Sequence, residues 1–400
     1  MKKTTALVTG LLLATAGLFS APGFADEKNI PEVFRGETRG SPIQIRYDDW
    51  TAILRSTVID SGTAGRELAS APEAQIGTRV VRGNMSRTRN EGNRLLFPAY
   101  TEENIAFLHK IRTELEKVPD QAPMNTWTKN EQLAYWLNLY NMTLIELLAE
   151  EYPVQSLKKL REGSKKHPSP WKRKVLTVAG ENLSLDDIHK ILIEKWDSTL
   201  VMYGLFQGFV GGPNVRQEAY TGDQVHRQLV DNAKEFVNSN RGMRPVGSSL
   251  EISTLYKENE ALFPNWEEDL KKHFISLTDS GLHSRIRNAK KIKAKTKDYF
   301  IADLFGGDSA VGSSAATNEA ALYDSIVHVN AGKPAAAGSS NGISNFSFEN
   351  YSGMPSTDIG VRFPPHVVDY LRQMRKNKAA KQGQVEIEEV DEGKTEETPK

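Results

Sequence analysis

One uninterrupted stretch, Thr128–Tyr152, constrains the fold more than any other, because it holds no glycine or proline and is closed by Pro153. Thr128 and Glu131 have the spacing of a capping box, in which each side chain can satisfy a backbone amide at a helix start. Leu133, Leu137, Tyr140, Leu144 and Leu148 then recur at helical spacing and form one apolar face. Glu131, Asn138 and Asn141 fall in a narrow arc on the opposite side. That arc has two readings. It is either a solvated polar face, with Glu131 used as a cap, or a pair of carboxamides that face a groove or tie down a neighbouring loop. Carboxamides donate and accept hydrogen bonds without titrating, so they can position a substrate but cannot serve as acid or base.

Around this helix the pattern predicts further helices over Thr101–Lys117, Ser184–Trp196, Gly222–Asn238 and Asn265–Leu277. Short strands are expected at Lys174–Val178 and Leu200–Phe206. Helix outweighs strand, so the expected fold is α+β: a predominantly helical body, residues 43–305, with a small β-sheet. Gly306–Thr317 and Gly332–Asn345 are rich in glycine, serine and alanine, which favours flexible loops. Phe346, Phe348, Tyr351, Phe363 and Val367–Leu371 nevertheless give the extension 306–371 enough apolar side chains to dock in part on the body. Residues 372–400, a basic run followed by an acidic one, read as a disordered tail.

The first 25 residues carry Lys2 and Lys3, an apolar run over Ala6–Phe19, and Gly23 and Ala25 at the −3 and −1 positions of a cut before Asp26. The run is shorter than the ~20 residues a spanning helix needs. The expectation is export to a periplasm or beyond after cleavage near Ala25, with 26–42 as a linker and no transmembrane segment. The chain contains no cysteine, which removes disulfides, thiolate nucleophiles, zinc–thiolate sites and iron–sulfur clusters. Fifty-one basic residues balance 51 acidic ones, against nucleic-acid binding through a global basic field.

Four glycines punctuate Tyr203–Arg216, where a strand is expected to run into a tight turn at Gly211-Gly212-Pro213. No Gly-Lys-Ser/Thr follows, so this is no phosphate loop; a ligand-cradling loop with Arg216 available for an anion is the alternative to a purely structural turn. The histidines are 109, 167, 189, 226, 273, 283, 328 and 366, and none forms His-x-His or His-Glu-x-x-His, so no metal site and no cofactor is assigned. His189 and His226 stand out because their helices flank the glycine-rich segment. Gly307–Gly312 misses the Gly-x-Ser-x-Gly elbow by one residue and is discounted. The basic clusters Lys158–Lys174, read as a loop, and Arg285–Lys297, read as largely helical, are taken as solvated faces; a patch for anionic envelope polymers or lipid headgroups is the alternative.

Asn130–Asn141, Glu151-Tyr-Pro-Val, Ser169-Pro-Trp171, Gly180–Ile188, Gly212–Arg216 and Glu218-Ala-Tyr220 occur in one order that resembles the family called domain of unknown function 547, most closely over 130–238. The resemblance implies an α+β domain, often exported in bacteria, with no established activity. Members commonly carry cysteines in the segment matching Tyr203–Arg216, where this chain has Gln207 and Gly212. Near Asp187-Ile188 the family tends to show an acidic residue and later an arginine, where this chain has His189 and Glu194.

Three functional readings follow. The leading one is a non-covalent binding module of the cell envelope, whose unidentified ligand or partner protein meets Asn138, Asn141, Pro213, Asn214 and Arg216. The second is a thiol-independent hydrolase or transferase acting on envelope material, with His189 or His226 as general base and Glu131 as orienter. The third treats the C-terminal extension as a tether for a partner protein.

Overall fold

The structure is a computed structural model and describes residues 27–70, 84–307 and 362–382. The first 25 residues, expected to direct export, the Ser309 motif and the aromatics Phe346, Phe348 and Tyr351 lie outside the described residues.

In chain order the helices are α1 (Asp48–Thr57), α2 (Glu102–Glu116), α3 (Val118–Gln121), α4 (Lys129–Glu150), α5 (Lys158–Glu162), α6 (Leu185–Trp196), α7 (Val225–Asn238), α8 (Leu255–Glu258), α9 (Trp266–Leu277), α10 (Ser280–Arg287) and α11 (Pro365–Gln382). The strands are β1 (Val58–Ile59), β2 (Arg94–Leu95), β3 (Leu176–Val178), β4 (Glu181–Leu183), β5 (Met243–Val246), β6 (Ser249–Ser253) and β7 (Lys291–Thr296). β1–β2 and β3–β4 are antiparallel pairs, and β5–β6–β7 is a mixed sheet in which β7 runs parallel to β6. The fold is therefore α+β and mostly helical, as its periodicity predicts.

The central element is α4. Thr128 caps it by accepting from the Glu131 N–H. Its apolar face is one part of a wholly covered surface, because every residue from Glu131 to Ala149 is buried. This corrects the expectation of a solvated polar arc: Asn138 and Asn141 lie in the interior. A helix covered all round must satisfy its polar side chains inside the protein. α1, α2, α6 and the β3–β4 hairpin supply apolar side chains to the main core around it, including Trp50, Leu108, Leu192 and Val178. A second core, built on Phe236, Ile252, Tyr256, Phe274 and Ile286, joins α7, α8, α9 and α10 to the three-stranded sheet. The segment after β7 laces parts of the chain together through isolated bridges, Asp303 to Leu95, Phe300 to Ser156 and Ile301 to Phe209.

Other local expectations change on folding. Leu200–Phe206 contains a 3-10 turn, Val201–Gly204, in place of a strand. A side chain at Gly204 would come within 2.7 Å of Leu137 and of Leu229, so the backbone packs directly on α4 and α7. The cluster Arg285–Lys297 is split between α10 and the edge strand β7, whose lysines alternate outward. The stretch 26–42 holds Ile30 and Phe34 in the main core, and the buried Lys195 ammonium donates to the Phe34 and Gly36 carbonyls. α11 extends to Gln382, past the boundary expected at residue 371. Its approach is fixed by Arg362, which forms a bidentate pair with the buried Asp49 of α1 at 2.9 and 2.7 Å, and Phe363, Val367 and Leu371 enter the main core.

His273 in the second core stacks on Tyr203 and shares a 2.6 Å hydrogen bond with its hydroxyl. Burial pushes its pKa down to about 4 from 6.5, so the unfolded chain binds a proton there that the folded chain refuses. This site is therefore expected to withdraw stability as pH falls from about 6.5 to about 4, reaching about 3 kcal/mol at the acid end. Urea titrations across that window, compared between the parent and His273→Phe, should show a shallower acid limb in the variant. Parallel limbs would refute the assignment.

Candidate functional site

The two asparagines of α4 work as backbone clamps. Asn138 donates from Nδ2 to the Tyr220 carbonyl (2.8 Å) and accepts from the Tyr220 N–H at Oδ1 (2.9 Å). Asn141 does the same one turn later, donating to the Gly204 carbonyl and accepting from the Phe206 N–H, both at 2.9 Å. Each carboxamide thus stands in for a neighbouring β-strand. This is the loop-fastening alternative read from their spacing, and it holds the segment that carries Gln207.

The remaining residues expected to form a binding surface are not gathered on one. Pro213 is buried; Asn214 Oδ1 accepts from the Asn93 N–H and from Arg241; Arg216 donates to the Gln228 carbonyl and lies over the Tyr220 ring. With Asn138 and Asn141 also in the interior, these five side chains serve the packing of the glycine-rich loop. Glu131 does not close its half of the capping box. Its Oε1 accepts from the Ile45 N–H instead (2.8 Å), and burial, against that hydrogen bond, raises its pKa to about 7. It orients neither histidine, since the His226 ring meets Asn130 (2.9 Å) and the His189 ring meets Asn259 (2.9 Å).

His189 does line a pocket. Asp186 and His189, one turn apart on α6, form one wall; Ser184 and Asp187 cap that helix reciprocally and fix its first turn. Arg161 comes from α5, Gln207 from the loop clamped by Asn141, and Leu255, Glu258 and Asn259 from α8 and its C-terminal cap. Tyr140, Met202 and Leu205 complete the lining of a small cleft that opens to solvent.

The hydrogen bonds define what the cleft offers. Asn259 donates from Nδ2 to the Leu255 carbonyl, so its Oδ1 faces the histidine and must accept. His189 therefore carries its proton on Nε2 and presents a lone pair at Nδ1. Burial lowers its pKa, opposed by the Asn259 hydrogen bond, then assisted by Arg161 and opposed by Asp186. Gln207 donates from Nε2 to the Leu205 carbonyl, whereas its buried Oε1 accepts from no protein group. The Arg161 guanidinium lies 4.8 Å from the Trp171 ring centre and 3.8 Å from Glu258, and its buried Nη1 finds no acceptor. Glu258 is raised in pKa by burial, with Arg161 opposing. No serine, threonine or cysteine lines the cleft, and the Tyr140 phenol, pushed up to about 12 by burial, stays protonated.

Of the catalytic candidates read from the sequence, His189 alone reaches this cleft. Asp186 stands at i−3 from His189 on the same helix, a spacing the sequence reading did not take up, and Gln207 is marked only by the cysteine that the family resemblance implies in its segment. Arg161, Glu258 and Asn259 had no local signal, because they reach the site only through the packing of α5 and α8. Among the described residues no group of three histidine, aspartate or glutamate side chains is placed to hold a metal ion, and no helix is long and apolar enough to cross a membrane.

Fold and site together define a mostly helical α+β protein with a small, doubly charged polar cleft. Residues 124–237 match the family described as protein of unknown function, DUF547. The match takes in α4, α5, α6 and nearly all of α7, and it ends before Glu258 and Asn259 of the cleft. No curated protein and no solved structure matches the chain.

Proposed function

We propose that this chain is exported and acts in the cell envelope as a non-covalent binding module, with the cleft between α5, α6 and α8 as its ligand site. Export rests on the charge, apolar run and small-residue cleavage pattern of the first 25 residues. The observation that carries the binding reading is the pair of unmet polar atoms at the cleft, Gln207 Oε1 and Arg161 Nη1. A buried acceptor and donor without partners cost stability, and a ligand that pairs with both returns it.

The test incubates residues 26–400 with total envelope extract and compares retained molecules by untargeted mass spectrometry with a folded Gln207→Leu variant. A retained molecule at about one per protein chain, lost in the variant, is the expected result. New products in catalytic excess, made by the parent alone, would replace the binding reading with an enzymatic one.

That second reading, hydrolysis or transfer on envelope material, is favoured by the fixed tautomer of His189. A neutral imidazole with Nδ1 free can take a proton from water without any thiol. In that case the rate must fall as pH drops through the lowered His189 pKa, and His189→Gln must abolish turnover. Turnover insensitive to both would dismiss His189 as the base.

A further inference from the structure

The mixed sheet has two edges that differ in what they offer a further strand. β5, at one edge, carries Pro245, which has no N–H to donate. β7, at the other, is six residues long without proline, and among the described residues it pairs with β6 alone. Its side chains alternate between the two faces of the sheet. Ile292 and Ala294 pack against the second core but stay half-buried, whereas Leu250 and Ile252 on β6 are 0% exposed. An absent neighbour strand accounts for the difference. Lys291, Lys293 and Lys295 are exposed on the opposite face. Lys295 shares Glu251 with Arg244, while Lys291 and Lys293 have no carboxylate partner among the described residues.

Lysines on an open edge repel basic and neutral strands, but they favour a strand of opposite charge. A strand added here must be acidic on the lysine face and apolar on the face that continues Ile292 and Ala294. The chain contains such a segment. Val385–Glu392 reads Val-Glu-Ile-Glu-Glu-Val-Asp-Glu, five acids in eight residues with no base, glycine or proline, and it lies outside the described residues. At strand spacing Glu386 and Glu388 share one face, and Val385 and Ile387 share the other. We propose that Val385–Glu392 adds as a strand to the open edge of β7, setting Glu386 and Glu388 against the lysine row. Backbone hydrogen bonds supply the affinity, and the charge row selects the strand. None of these residues lines the cleft.

The test is amide hydrogen exchange of residues 26–400, read by mass spectrometry at neutral pH and low salt. Amides of 385–392 should exchange at least about tenfold more slowly than in a synthetic peptide of the same sequence. Glu386→Lys with Glu388→Lys should bring them to the rate of the matching peptide and speed exchange in 291–297. Lys291→Glu with Lys293→Glu, exposed positions where unchanged circular dichroism checks folding, should also release 385–392. All four reversals together should restore protection, because opposite charges face each other again. Dilution separates two sources of the segment. Protection that persists on dilution comes from the same chain, and protection lost together with a dimer comes from a second copy; both support the pairing. Exchange of 385–392 at the peptide rate at every concentration would overturn the proposal and leave the lysines as guards of an unpaired edge. Protection that survives both pairs of reversals would overturn it as well, since another surface would then hold the segment.

Discussion

Asn138→Leu is expected to lower stability by about 2–6 kcal/mol. The substitution keeps the volume and removes both hydrogen bonds to Tyr220, so the Tyr220 N–H and carbonyl are left buried without partners. Each such group costs about 1–3 kcal/mol, which gives the range. In urea the midpoint should fall while the slope stays constant, since the surface exposed on unfolding is unchanged. A loss below about 0.5 kcal/mol would show that the loop finds other partners and that the clamp is incidental. The size of the effect also changes how this residue can be used: an Asn138 variant that binds nothing reports on folding before it reports on a ligand. Gln207→Leu removes one hydrogen bond, to the Leu205 carbonyl, so its binding is read only once its folding has been shown.

Arg112→Met should be costly for a different reason. Arg112 on α2 is buried between two acidic side chains, Glu146 of α4 and Glu116 one turn along its own helix, and His109 also reaches Glu146. Glu116 Oε2 accepts in addition from the Thr177 N–H of β3, so the cluster joins three elements. Removing the guanidinium leaves two buried carboxylates facing each other, a loss of about 3–5 kcal/mol. The pH dependence identifies the cause. In the variant, burial and the neighbouring Glu146, no longer opposed by Arg112, hold the Glu116 carboxyl further above its ordinary pKa, so the folded state binds more protons than the unfolded chain. Its stability should therefore recover as pH falls towards about 4.5 and decline as pH rises to neutrality. A deficit that stays constant with pH would point to lost packing. Arg112→Met combined with Glu146→Leu and Glu116→Leu should regain much of the loss, because no buried charge is then unpaired.

The helices of this protein are written locally, and that is why they can be read. Capping residues at Thr101, Thr128 and Ser184 and the periodicity behind them mark α2, α4 and α6 to within a residue or two. The misread segment Leu200–Phe206 has the apolar content of a strand, but Asn141 takes its Gly204 carbonyl and Phe206 N–H with the hydrogen bonds a strand would take from a neighbour. A fold contact from 63 residues away decided the backbone there, and no local window of sequence contains it. The polar arc of α4 was misjudged for a related reason. Helical spacing shows which residues share a face, but it does not show that a second layer covers that face. The cleft was half visible: Asp186 and His189 share a helix turn, whereas Asn259, which sets the histidine's proton, sits 70 residues further on.

The Asp49–Arg362 pair has a consequence for how the chain is made. Asp49 is produced among the first residues of the body and its guanidinium partner 313 positions later. During synthesis the aspartate therefore waits, close to other polypeptide but without its counter-ion, until Arg362 has been made. Burying it earlier would strand a charge, so the seating of α1 is tied to the arrival of the C-terminal helix. Domains rich in nearby contacts can settle as they emerge, while this one defers the closure between α1 and α11 until residues 362–371 have been made.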